Sequence, residues 1–160
     1  MSNYFEVDAN VLGLAAEIIS HHHPGLVDAK IGFIFQEEAS KRNGRIILGN
    51  ASKVSEKQRI AGLDLDYIIT IAYDWWKGMT FNQKKALIDH ELCHCDYDDG
   101  DAKIKGHDIE EFKCIVDRYG LWRTDLIEIA PSFEKAIQMK FETLPKRGEV
   151  VAVSPAAVKE

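Results

Sequence analysis

At 160 residues the chain suits one domain, long enough for a hydrophobic core that needs no disulfide staples. Its 46% apolar and 29% charged residues are an ordinary globular composition, and no apolar run approaches membrane-spanning length. A net charge of −6 argues against a nucleic-acid surface covering the whole protein, because phosphate binding needs concentrated Lys and Arg.

In chain order, Met1 to Asn10 is polar and acidic and carries no signal pattern. Asp8 to Ser20 predicts a first helix, since Val11, Leu14, Ala15, Ile18 and Ile19 share a face. His21-His22-His23-Pro24 ends it. This run has the composition to bind metal, but a polar helix end that favours partly charged imidazoles accounts for it better. Ile31, Phe33 and Phe35 alternate in a strand from Lys30 to Gln36. Asn43-Gly44 marks a turn into a second short strand from Arg45 to Leu48. Ala51 to Gly62 is polar and is expected to be loop. Tyr67 to Asp74 predicts a third strand, and Trp75-Trp76 behind it, like Trp122, are expected to pack under helices rather than to floor a pocket.

The next stretch carries the chemistry. Thr80-Phe81-Asn82-Gln83 is a capping box, a hydroxyl N-cap with Gln three residues on. Lys84 to Cys95 then runs without Gly or Pro. Ile88, Leu92 and Cys95 form one buried stripe, and Leu87, His90, Glu91 and His94 form the adjacent one. His90-Glu91-Leu92-Cys93-His94 spells H-E-x-x-H. Residues four apart lie on one helix face, so His90 and His94 can reach a single metal ion while Glu91 sits beside it as a base for bound water.

A third ligand is needed. The elongated metzincin pattern fails, because Tyr97 and Gly100 occupy its Gly and His positions. Cys95 to Gly106 is a polar, Gly-punctuated loop, long enough to reverse the chain and return His107 to the metal. Asp108-Ile109-Glu110-Glu111 reads as a second capping box, followed by Ile109, Phe112, Val116 and Tyr119 at helical spacing and Gly120 as C-cap. The third ligand is expected to be His107, with Glu110 or Glu111 as the competing choice. An acid such as Glu110, Glu111 or a loop aspartate would orient a ligating imidazole. Leu126 to Lys140 is expected to be weakly helical and broken by Pro131. Residues 1–145 are expected to form one domain, and 146–160 a loose Val/Ala/Pro-rich tail.

Cys93, Cys95 and Cys114 cannot all pair internally, which fits a reduced, cytoplasmic protein. All three are expected to be small core-filling residues. Lys103/Lys105 and Lys140, Lys146 and Arg147 are basic clusters expected to be solvated faces. Among possible donors to a tetrahedral oxyanion, Tyr73, Tyr97 and Tyr119 stand equal.

The H-E-L-x-H helix, the polar loop and Gly106-His107-x-x-Glu110-x-Phe112-Lys113 resemble the SprT/Spartan-type and related WLM metallopeptidases. They resemble still more the small metallopeptidases encoded by phages and prophages. The likeness covers roughly Ile31 to Trp122, with its specific residues confined to 90–113. It implies zinc held by His90, His94 and His107, Glu91 as catalytic base, and, for a phage protein, the bacterial host cytoplasm. The implied fold is α+β, a small, largely antiparallel sheet packed with helices in a zincin-like core. An extended peptide would add to a sheet edge there, and the third strand is expected to be that edge. Asp108 stands where SprT-type chains often have Gly, and no C-terminal zinc ribbon is present.

The expected function is therefore zinc-dependent peptide hydrolysis on a protein or peptide substrate. Nucleic acid is not indicated by the charge, and oligomeric state is unreadable. The alternatives are a metal-stabilised binding module without turnover, engaging a host or partner protein, and hydrolysis of a non-peptide substrate on the same site. A purely structural metal site would have no need of Glu91.

Overall fold

A computed structural model describes residues 3–139, which form an α+β arrangement in two compact units. The 146–160 tail and the basic residues Lys140, Lys146 and Arg147 lie outside the described residues.

The first unit runs to Lys105. Its main sheet has the order β1-β2-β6-β5, built from β1 (Tyr4–Glu6), β2 (Ile31–Gln36), β5 (Gly49–Lys53) and β6 (Tyr67–Ala72). The outer pairings β1–β2 and β5–β6 are antiparallel and the central pair β2–β6 is parallel. Phe33 pairs with Ile69 and Phe35 with Ile71, so the alternation read from the sequence turns both pairs of side chains to one face. There they meet Val11, Ala15 and Ile18 from α1 (Ala9–His22) and Ile88 and Leu92 from α4 (Phe81–Cys93), and together these residues make the core. Asp8 caps α1 by accepting from the Val11 amide at 3.0 Å.

Two hairpins flank the sheet. β3 (Ser40–Arg42) and β4 (Arg45–Ile47) turn through Asn43 and Gly44, both at positive φ (51° and 76°), as the Asn-Gly signal predicts. β7 (Cys95–Asp98) and β8 (Asp101–Ile104) turn through Asp99 and Gly100. The expected polar loop is thus a hairpin, which reverses the chain as required.

Three expectations need correction here. The third strand, β6, lies between β2 and β5, and the edge beside the motif helix is β5. The stretch Ala51 to Gly62, expected from its polarity to be loop, begins inside β5, whose polar composition is one that a solvated edge strand uses. The remainder of that stretch holds a short helix, α2 (Glu56–Ile60), capped by a Ser55/Gln58 box. β1 also forms in the polar N-terminal stretch, and the third strand, expected to reach Asp74, ends at Ala72, where a short helix, α3 (Tyr73–Trp76), begins.

The second unit, Gly106–Thr143, holds α5 (Lys113–Tyr119) and α6 (Thr124–Ile137). The capping box expected at Asp108–Glu111 does not form. Phe112 is the N-cap, because the Glu111 carboxylate accepts from the Phe112 amide at 2.8 Å and pairs with Arg123 at 3.3 Å. Gly120 ends α5 at φ 69°, as expected. Pro131 does not break α6; the helix continues through it and forgoes one backbone hydrogen bond.

Candidate metal centre

The motif helix forms for the reasons its sequence gives. The Thr80 hydroxyl accepts from the Gln83 amide at 3.2 Å, and the Gln83 side chain accepts from the Thr80 amide at 3.0 Å. Ile88 and Leu92 are fully buried and Cys95 nearly so, which fixes the rotation of the helix about its axis. That rotation sets His90 on the exposed side, His94 half-buried at the C-cap, and Glu91 in the interior at 3% exposure.

The His90 and His94 rings stand edge to face with centroids 5.2 Å apart, and their ligand nitrogens come within 4.8 Å of each other. The β7–β8 hairpin locks His94 in place. The Lys105 amide donates to the His94 carbonyl at 2.8 Å, and His94 Nδ1 donates to the Lys105 carbonyl at 2.6 Å. A carbonyl only accepts, so Nδ1 carries the proton and Nε2 carries the lone pair that a metal needs. The hairpin is itself tied to the sheet by the fully buried Tyr67. Its hydroxyl donates to the Asp96 carbonyl at 2.6 Å and accepts from the Lys103 amide at 3.1 Å. Burial pushes that hydroxyl up to about 12, so it stays protonated.

Glu91 is held by the edge strand. Its carboxylate accepts a hydrogen bond from the Ala51 backbone and lies against Gly49, where an added Cβ would stand 2.6 Å from Oε1. Gly49 is therefore a packing requirement, the single residue type that lets the acid lie flat on β5. Burial raises the Glu91 carboxyl to about 7, partly offset by the nearby His94 and by the Ala51 amide. A carboxyl with that value accepts and returns protons near neutrality. Neither Gly49 nor Ala51 belongs to a motif in the sequence. The available signal was a glycine among strand residues, which often marks close approach of another group.

His107 opens the second unit, two residues beyond the Lys105 that His94 holds. Glu111 is committed to Arg123, and the Glu110 carbonyl also accepts from Arg123 at 3.1 Å. Trp76 is buried against Phe35 and Trp75 is packed on the core, so neither floors a pocket. Trp122, expected to pack under helices, is instead 53% exposed, covered on one face by the Arg123 guanidinium. Tyr73 stacks on Phe5 and Phe35. Of the cysteines, Cys95 fills the core as expected, with its thiol raised to about 12 by burial, but Cys93 and Cys114 are exposed. Among the described residues no helix is long and apolar enough to cross a membrane.

Residues 3–136 match the sequence model of the family described as "Putative phage metallopeptidase". No curated protein and no solved structure matches the chain significantly. With so much of its length matched, and with two imidazoles flanking a buried carboxylate on the motif helix, the chain belongs to the phage metallopeptidase family, which implies a metal ion and a protease-type enzyme.

Proposed function

We propose that the chain is a zinc peptidase in which His90, His94 and His107 hold the metal and Glu91 is the catalytic base. The observation that carries this reading is Glu91 itself, a buried carboxyl raised to about 7 and lying near His94, where a structural metal site would need no acid. The donor set suits zinc, which takes imidazole nitrogens and keeps an open position in catalytic sites. His107 is favoured as third ligand by chain reach. Lys105 is bound to His94, and two extended residues span at most about 7 Å. Kinship with SprT-type and WLM peptidases, a zincin-like core and a host-cytoplasmic location belong to the same proposal.

Zinc held by these residues would polarise a substrate carbonyl and lower the pKa of a bound water to about 7. Glu91 takes the proton of the attacking water and returns it to the leaving amine. The Ala51 amide and Gly49 keep the carboxylate aligned against β5 during both transfers. β5, as the sheet edge nearest this acid, is the strand against which an extended peptide substrate would pair.

The test is untagged protein assayed for zinc and for cleavage of an unstructured protein such as casein, beside Glu91→Gln and His107→Ala. The expected result is about one zinc at this site in the parent and in Glu91→Gln, turnover lost by roughly 10²–10⁴-fold in Glu91→Gln, and zinc much reduced in His107→Ala. Turnover retained in Glu91→Gln would overturn the base assignment. Zinc unaffected by His107→Ala would move the third ligand to Glu110. Stoichiometric capture of a partner with no new amine terminus would favour the binding-module alternative.

A further inference from the structure

The motif helix carries a second set of metal-ligand side chains one step around its axis. Asp89 and Cys93 are spaced i, i+4, like His90 and His94, and so share a face of α4 about 100° away from the histidine face. His23, at the end of α1, packs against that face. His23 Nε2 stands 2.6 Å from Asp89 Oδ1, and the ligand atoms of His23, Asp89 and Cys93 all lie within 4.8 Å of one another. All three residues belong to the first unit.

His23 is held in place. Its amide donates to the Ile19 carbonyl at 3.0 Å, its carbonyl accepts from the Leu26 amide at 2.9 Å, and Pro24 restricts the chain after it. Its two sequence neighbours do not share this role. His21 Nδ1 bonds to the Glu17 carbonyl at 2.8 Å, and His21 and His22 are exposed. The His-His-His-Pro run, which has the composition to bind metal although a polar helix end is the better expectation, therefore delivers one imidazole to the motif helix.

We infer that His23, Asp89 and Cys93 form a second cation site, one that takes a thiophilic divalent ion such as zinc and staples α1 to the motif helix. An imidazole, a carboxylate and a thiolate are a donor set that zinc accepts, with water completing a tetrahedron. On binding, the Cys93 thiol proton goes to solvent and an Sγ–metal bond forms. The His23 proton moves to Nδ1, so that Nε2 donates its lone pair to the metal. The cation takes the place of the proton now shared by His23 and Asp89, which requires their 2.6 Å separation to open to roughly 3.3 Å, the ligand spacing of a tetrahedral zinc. The inference stands apart from the peptidase reading, because it shares no ligand with it.

Cobalt(II) separates the two sites. A thiolate ligand gives an intense charge-transfer band in the near ultraviolet, and an all-histidine site gives only weak visible bands. Full-length, metal-stripped protein titrated with cobalt should develop the near-ultraviolet band, which is complete once both sites are filled, by two equivalents. The band should vanish in Cys93→Ser and weaken in affinity by at least about tenfold in His23→Ala, yet persist in His90→Ala. Loss of only the weak visible bands in His90→Ala reports on the peptidase site independently. Absence of the near-ultraviolet band, or a band unchanged in either Cys93→Ser or His23→Ala, would overturn the second site. Cys93→Ser replaces one atom at an exposed position, and the metal-free circular dichroism spectrum verifies that it folds.

Discussion

Glu91 is the residue on which the proposed chemistry turns, and its environment makes two expectations. Its ordinary carboxyl value of 4.5 is raised to about 7 in the folded, metal-free chain, so the folded state holds the proton more tightly than the unfolded one. The stability this confers is fully present below pH 4.5 and is lost as pH rises through about 7. Chelator-treated protein should therefore lose up to about 3 kcal/mol between pH 5 and pH 8 from this group, and Glu91→Gln should flatten that slope. Urea unfolding of both proteins at the two pH values measures it; parallel pH profiles would refute the assignment. The second expectation concerns Gly49. Its Cβ position lies inside the Glu91 carboxylate, so Gly49→Ala must push the acid off β5. Metal content should hold while kcat falls by about 10–100-fold, the scale of a misplaced catalytic group. Loss of zinc in step with activity would show instead a general collapse of the site.

At the scale of elements, much of the first unit could be read from the sequence because local chemistry and burial agree there. The Thr80–Gln83 box, the Ile88/Leu92/Cys95 stripe and the Phe33/Phe35 alternation each form as expected. What escaped reading depends on partners distant in sequence. β5 is polar and became a strand only because β6 pairs with it, and that placement made it the edge instead of β6. The Asp108–Glu111 capping box is locally plausible, but Arg123 draws Glu111 away from it. Pro131 looked like a breaker, yet one lost hydrogen bond does not end the fourteen-residue helix Thr124–Ile137. The β7–β8 hairpin gives the sharpest element-scale expectation. Tyr67→Phe leaves the Lys103 amide and the Asp96 carbonyl without their buried partner. It should cost about 1–3 kcal/mol in stability and weaken zinc binding about tenfold by loosening the hairpin end that locks His94. A zinc competition assay with a chromogenic chelator reads the second effect. Unchanged affinity would separate hairpin order from metal binding.

For the whole molecule, the proposed ligand set draws one member, His107, from the first residues of the second unit. The segment 106–112 leads into α5 at the start of the second unit, and metal held at His107 would restrain it. Limited proteolysis in that segment should slow several-fold when zinc is added to stripped protein, and the protection should disappear in His107→Ala. Equal cleavage with and without zinc would remove His107 from the ligand set. Family membership was legible from the motif helix and its neighbours, yet the supports of the site (Gly49, the Ala51 amide, the Lys105 carbonyl) carry no signature, because each acts through backbone or absence of a side chain.

The parallel pairing of β2 with β6 also bears on when the protein can first act during its synthesis. β6 leaves the ribosome long after β2, and the sheet that supports Glu91 closes only when both are present. Gly49 must then wait for Lys105 before His94 is locked, a delay of roughly 3–11 seconds at about 5–20 residues per second. On the proposed reading, the metal site is therefore completed only after the sheet, the motif helix, the hairpin and His107 have all emerged.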